Sequence, residues 1–190
     1  MNRCLKPDDF GTVVSQQLHS FSDASSAGYG EVPYLRQEND RGQIHCAFLM
    51  GKARCSPIKP MTIPRLELMA AVLSVRVSNM LVRELDIVPD DQFYWTDSTT
   101  VLKYLTNDTA RYKTFVANRV QTIRDTTQPY EWHYVDSASN AADDASRGLK
   151  ISRFLKNGQW INGPSFLWKA TSEWPKPPVD VSTSDDPEVV

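Results

Sequence analysis

The chain has 190 residues, 41% of them hydrophobic, and a formal net charge of −2, which suits one domain with a sizeable core and argues against a uniformly basic nucleic-acid binder. Three cysteines, Cys4, Cys46 and Cys55, exclude a paired disulfide framework and form no CxxC zinc motif. No apolar run reaches the roughly 18 to 20 residues that cross a bilayer, and the first residues lack a signal-peptide core, so a soluble protein of the cytoplasm or nucleus is expected, with no membrane partner.

Residues 1 to 17 show little periodicity and read as a lead-in. Residues 18 to 23, LHSFSD, alternate so that His19, Phe21 and Asp23 share one face of a first strand ending in a carboxylate. Ala27, Gly28 and Gly30 favour a close turn into a second strand, and Gly42 precedes a third strand-like run through Ala47, Phe48, Leu49 and Ala53. Short turns between three strands predict an antiparallel meander.

Over residues 62 to 86 the period changes. Thr62 and Pro64 form a helix-start signal, and Leu66, Met69, Ala70, Leu73, Val77, Met80 and Leu81 recur at spacings of three and four. Glu67 lies about 100° round from Leu66, on the shoulder of that stripe, above the small residues Ala71, Ser74 and Ser78. A first-turn Glu is also an ordinary partner of the helix dipole.

The chain is organised around residues 92 to 105, QFYWTDSTTVLKYL. An aromatic strand delivers Asp97 to its carboxyl end, Ser98 caps a helix, and Val101, Leu102 and Leu105 carry the helical period. A strand-end carboxylate beside a helix start is where sites form in α/β sheets. Residues 115 to 125 read as a further helix stopped by Pro129, residues 130 to 135 as a strand, and residues 140 to 148 as a short helix carrying Asp143 and Asp144 and ended by Gly148. The whole predicts an α/β fold, a mixed five-stranded sheet whose first three strands are antiparallel, with helices packed on it. Beyond Leu149, residues 150 to 175 form a Trp, Gly and Pro-rich docking segment, and residues 176 to 190 have the composition of a disordered tail.

Four acids on separate elements, Asp23, Glu67, Asp97 and Asp143, repel one another unless hard divalent cations neutralise them, and oxygen ligands of this kind select Mg²⁺ or Mn²⁺. Two such ions can activate water and stabilise a leaving oxygen, so no nucleophilic side chain is required. Between Lys103 and Arg124 five basic residues stand against Asp108 alone, with Tyr104, Tyr112 and Phe115 interleaved. That composition suits either a phosphate-gripping surface or a solvated helix face.

The blocks FSDAS (21 to 25), PRLELMAA (64 to 71), YWTDS (94 to 98) and NAADDASRG (140 to 148) resemble the four motif blocks of the RNase H domain in BEL/Pao-type long-terminal-repeat retrotransposon polyproteins. The resemblance covers residues 18 to 149, and the Trp-Gly-Pro segment resembles the connector toward integrase. It implies an RNase H-like fold and cleavage of the RNA strand of an RNA–DNA hybrid. It also implies two Mg²⁺ ions, replaceable by Mn²⁺, and linkage to a reverse transcriptase and an integrase. By motif match the metal-binding acids fall on Asp23, Glu67, Asp97 and Asp143, with Asp144 the runner-up for the fourth place. Ser98, Lys103, Arg111, Lys113 and Asn140 are the expected substrate contacts. Two departures stand out: the loop DSASN lacks the His that many RNase H enzymes place before the last acid, and Ala141 replaces the usual Pro. His133 falls within a predicted strand and reads as structural.

A proofreading-type exonuclease needs a second acid two residues after the first, where Ser25 stands. An integrase-type transposase would leave Glu67 unexplained and places Glu131 in a strand. The remaining competitor is a non-catalytic RNase H-like connection or nucleic-acid-binding module, which usually loses one or more of the four acids.

Overall fold

The computed structural model describes residues 5–148, 151, 158–176 and 187–189. A six-stranded mixed sheet forms its centre. Strand β1 (Val13–Ala24) pairs antiparallel with β2 (Gly28–Asn39), which pairs in turn with β3 (Ile44–Phe48) and β4 (Lys52–Cys55). On its other side β1 pairs parallel with β5 (Asp91–Thr96), and β5 with β6 (Trp132–Tyr134). The expected third strand is therefore split. Residues 44 to 48 lie along Tyr34–Glu38 of β2 and residues 52 to 55 along Gly28–Glu31, on one edge interrupted at residues 49 to 51. This interruption makes six strands where five were predicted. Strand β1 also starts earlier than predicted, taking in residues 13 to 17 of the supposed lead-in.

Helix α1 (Ile63–Glu84) crosses one face of the sheet, followed in sequence by α2 (Thr99–Thr106) and α3 (Thr114–Arg124). Leu68, Val72 and Val75 of α1 pack with Tyr94, Val101, Tyr104, Val116, Ile123 and Trp132. Leu66, Ala70, Leu73, Val77 and Leu81 meet Ala24 and Tyr29. Each such aliphatic side chain removed from water stabilises the fold by about 1.5–3 kcal/mol. Because α1 lies between the sheet and α3, its buried surface is wider than one stripe: Ala71, Ser74 and Ser78 are buried, and Ser78 shares a hydrogen bond of 2.6 Å with Ser20. Met69 and Met80, expected in the stripe, are only partly buried.

The opposite face is aromatic. Side-chain alternation aligns His19 with Phe93 and Phe21 with Trp95 across the β1/β5 pair. The His19 and Phe93 rings stack at 4.7 Å, and Phe21 and Trp95 at 6.0 Å. His19 is fully buried, and that burial holds its pKa well below the ordinary value. Its Nδ1 accepts from the Trp95 indole at 3.1 Å, which leaves the proton on Nε2, facing Gln17 Oε1. The Trp, Gly and Pro-rich segment covers this face with a helical turn (Gln159–Asn162) and two 3₁₀ turns (Ser165–Trp168 and Thr171–Glu173). Phe166 and Leu167 are buried in the core, and Trp160 and Trp174 pack against it. Arg36, 3% exposed, bolts the segment down: Nε donates to the Leu167 carbonyl at 2.8 Å, Nη2 to that of Lys169 at 3.2 Å, and Nη1 to Gln17 Oε1 at 3.1 Å. Among the described residues no helix is long and apolar enough to cross a membrane.

Of the predicted disordered tail, residues 177–186 and 190 lie outside the described residues. Pro187–Val189 returns to the helical side of the sheet, where Val189 bridges Tyr112 and the Lys113 amide donates to the Glu188 carbonyl at 2.9 Å.

Candidate active site

Strands β1 and β5 run parallel, and their last registered pair is Ser22 with Thr96. The next residue on each is an acid, Asp23 and Asp97, so the row His19/Phe93, Phe21/Trp95 continues into a carboxylate pair at the carboxyl end of the sheet. Asp23 is 5% exposed, and its pKa is pushed up to about 7, first by burial. The charges of Asp97 and Asp143 add to that rise, while the Ser146 hydroxyl and the Arg147 guanidinium oppose it.

The third acid, Asp143, opens the short helix α4 (Asp143–Arg147). Gly30 of β2, directly opposite Asp23, lets α4 lie this close: a Cβ there would stand 2.6 Å from Ala145 Cβ. Ser146 of α4 donates its hydroxyl to Asp23 Oδ2, and Arg147 Nε donates to Asp143 Oδ1 at 2.5 Å. Asn140 joins the parts. Its Nδ2 donates to the Ser22 carbonyl at 3.0 Å and reaches Asp97 Oδ1 at 3.4 Å, while its Oδ1 accepts the Ala142 amide at 3.1 Å. Ser137 donates its hydroxyl to Asp97 Oδ2.

Glu67 comes from α1, on the opposite face of the sheet. Ser98 Oγ donates to Glu67 Oε2 at 2.5 Å and accepts the Val101 amide at 3.2 Å, so the residue that caps α2 also holds Glu67. Burial raises the Glu67 pKa, the Ser98 hydroxyl lowers it, and the charge of Asp97 raises it again.

The four predicted acids thus meet at one end of the sheet, with Asp97 within electrostatic reach of both Asp23 and Glu67. Asp144, the runner-up, is 8% exposed, and its charge is felt by Tyr34 of the aromatic face. Four hard carboxylate oxygen donors, one of them on the buried Asp23, fit the chemistry of Mg²⁺ or Mn²⁺. Each acid is tied to a hydroxyl, an amide or a guanidinium, and among the described residues no three His, Cys, Asp or Glu side chains are grouped so that they could hold a metal ion.

The predicted substrate contacts divide. Ser98 and Asn140 are buried positioning residues of the site. Lys103 lies on α2, and Arg111 and Lys113 precede α3. Arg124, counted in the basic segment, turns inward: its Nη2 donates to the Leu105 carbonyl at 3.0 Å and pairs with Asp108 at 3.0 Å. Pattern reading did not find Ser137, Ser146 or Arg147. The i,i+4 spacing of Asp143 and Arg147 was the available signal for the last.

A sheet of order β3-β2-β1-β5-β6, with carboxylates at the ends of the paired β1 and β5, defines an RNase H-like α/β protein. The family description "Pao retrotransposon-like RNaseH-like domain" matches residues 1–98 of the 190, a stretch that includes Asp23, Glu67 and Asp97, and the chain belongs to that family. A search of the curated proteins found no match. Among solved structures, the N-terminal RNase H domain of Rv2228c from Mycobacterium tuberculosis, fused to maltose-binding protein, is 12% identical, with 70% of this chain and 95% of that one covered at a TM-score of 0.47. RNase H1 from Halobacterium salinarum is 13% identical, with 73% and 100% covered and a TM-score of 0.42. LC11-RNase H1, solved in complex with an RNA/DNA hybrid, is 10% identical, with 74% and 99% covered and a TM-score of 0.41.

Proposed function

We propose that this domain is a divalent-metal-dependent endonuclease that hydrolyses the RNA strand of RNA–DNA hybrids during retrotransposon reverse transcription, working beside a reverse transcriptase and an integrase. The observation that carries the reading is the meeting of Asp23, Glu67, Asp97 and Asp143, drawn from four separate elements, at one end of the sheet. Family membership supports the reaction class.

Asp23 and Asp97 would hold the ions between them, with Glu67 completing one site and Asp143 the other. Two Mg²⁺ ions, or Mn²⁺ in their place, would supply water activation and stabilisation of the leaving 3′-oxygen. The protein's part is positioning. Ser98 aims Glu67, Asn140 ties the Asp97 carboxylate to the end of β1 and to the start of α4, and Ser146 holds Asp23. Burial of Asp23 keeps the acids in a setting where their charges act strongly on whatever binds there.

Labelled RNA–DNA hybrid incubated with the domain, with and without EDTA, tests the reading. Cleavage that leaves 3′-hydroxyl and 5′-phosphate ends and is lost with EDTA is expected, and Asp97→Asn should abolish it while leaving the fold intact. Unchanged turnover in that variant would refute the assignment, and hybrid binding without cleavage would favour a non-catalytic module.

A further inference from the structure

Glu188, two residues before the last in this sequence, is buried between the starts of α1 and α3, at 7% exposure. Its carboxylate takes both arms of one guanidinium: Arg65 Nε donates to Oε1 at 2.8 Å and Nη2 to Oε2 at 3.0 Å. The guanidinium lies over the Phe115 ring at 4.8 Å, which fixes its plane. Beside it the Lys113 ammonium donates to the Pro187 carbonyl at 2.7 Å. A planar fork of this kind, braced on an aromatic ring, suits two oxygens of a phosphodiester as well as those of a carboxylate.

The surroundings are cationic. Arg119, also over Phe115 at 3.5 Å, leads from Arg65 into a groove between α1, α3 and β4 lined by Arg76, Arg54 and Lys52. Arg111 stands exposed just before α3. An acidic residue seated at the head of such a groove neutralises the position where a nucleic-acid backbone would gain most from it.

On the reading of this domain as a hybrid-binding nuclease, we infer that the Arg65 fork binds a phosphodiester of the hybrid and that Glu188 is its built-in competitor. The carboxylate must leave before the backbone can take its place. Competition of this kind lowers the apparent affinity by the fraction of time the site is open, so a segment seated for about nine-tenths of the time masks it about tenfold.

Anisotropy of a labelled RNA–DNA hybrid, titrated with the full chain in EDTA so that nothing is cleaved, tests the inference. Glu188→Gln keeps the shape and removes the charge. It should tighten binding about three- to tenfold and steepen the salt dependence by about one phosphate contact, because Arg65 no longer carries an internal counterion. Arg65→Ala should weaken binding, and adding Glu188→Gln to it should restore nothing. Arg65→Lys, which keeps the charge and loses the fork, serves the same comparison if thermal melts show Arg65→Ala unfolded. Unchanged affinity and salt slope in Glu188→Gln, or a gain that persists without Arg65, would overturn the inference. The cleavage assay is read separately: tighter binding by an inactive protein sinks the nuclease reading alone, and cleavage with no effect of Glu188→Gln sinks this inference alone.

Discussion

Ser98 and Glu67, 31 residues apart in the chain, share a hydrogen bond of 2.5 Å, and the same serine oxygen caps α2 through the Val101 amide. One hydroxyl therefore serves a helix start and a candidate metal ligand on a different helix. Ser98→Ala should lose both. The cap is worth about 0.5–2 kcal/mol in denaturant unfolding, and release of Glu67 should lower hybrid cleavage beyond what that instability explains. Ser98→Thr keeps the hydroxyl and should recover both readouts, whereas a Thr variant as inactive as Ala would show that the hydroxyl is not what matters.

Gly30 sits under α4 with no room for a side chain: an added Cβ would stand 2.6 Å from Ala145 Cβ and 3.1 Å from the Lys52 carbonyl. Gly30→Ala should push α4 outward at a cost of about 1–3 kcal/mol and carry Asp143 and Ser146 away from Asp23. Cleavage should fall more than hybrid affinity does. The double variant Gly30→Ala/Ala145→Gly should regain part of the loss, and no recovery would place the strain elsewhere.

Glu31 on β2 is fully buried, and neither carboxylate oxygen has a hydrogen-bond partner among the described residues. Burial raises its pKa well above the usual carboxylate value, with Lys52 opposing. A raised folded-state pKa means the stability it contributes is complete below the unfolded value, near 4.5, and is lost as pH rises toward the folded one. Glu31→Gln should therefore match the parent near pH 4 and exceed it progressively above that, by about 1–3 kcal/mol at pH 8. Urea midpoints at pH 4, 6 and 8 check this, and a gap independent of pH would contradict it.

Arg36 donates to two carbonyls of the segment that covers the aromatic face. Arg36→Ala removes a donor from each of those carbonyls and from Gln17, which should destabilise the protein by about 2–4 kcal/mol. It should also loosen residues 158 to 176, seen as faster proteolysis there and a red shift of tryptophan emission. Equal resistance to protease would mean that Phe166 and Leu167 hold the segment unaided.

The sheet and its acids were readable from local pattern because each depends on its own neighbours. Alternation placed Asp23 beyond Phe21, the strand-to-helix change placed Asp97 before Ser98, and helical spacing put Glu67 on a shoulder. What escaped depends on groups far away in sequence. The break at residues 49 to 51 is visible only against β2, since the two halves of that edge pair with different parts of it. Arg124 looks like a surface cation until the end of α2 offers it carbonyls, and Ser146 looks like a helix filler until Asp23 lies above it. Glu188 belongs to a stretch whose composition speaks for disorder, and Arg65 and Lys113, far away in sequence, give it a place.

The lid over His19, Phe21, Phe93 and Trp95 comes from residues that follow Gly148. During synthesis every strand and all three long helices leave the ribosome before it does. A nascent chain halted at residue 148 would display a bare aromatic sheet, a surface that recruits chaperones or sticks to its copies. A processing cut made between residues 148 and 158 would leave the same surface exposed unless the severed segment stayed bound. Proteolytic maturation of any longer precursor is thus safer on the far side of Trp174.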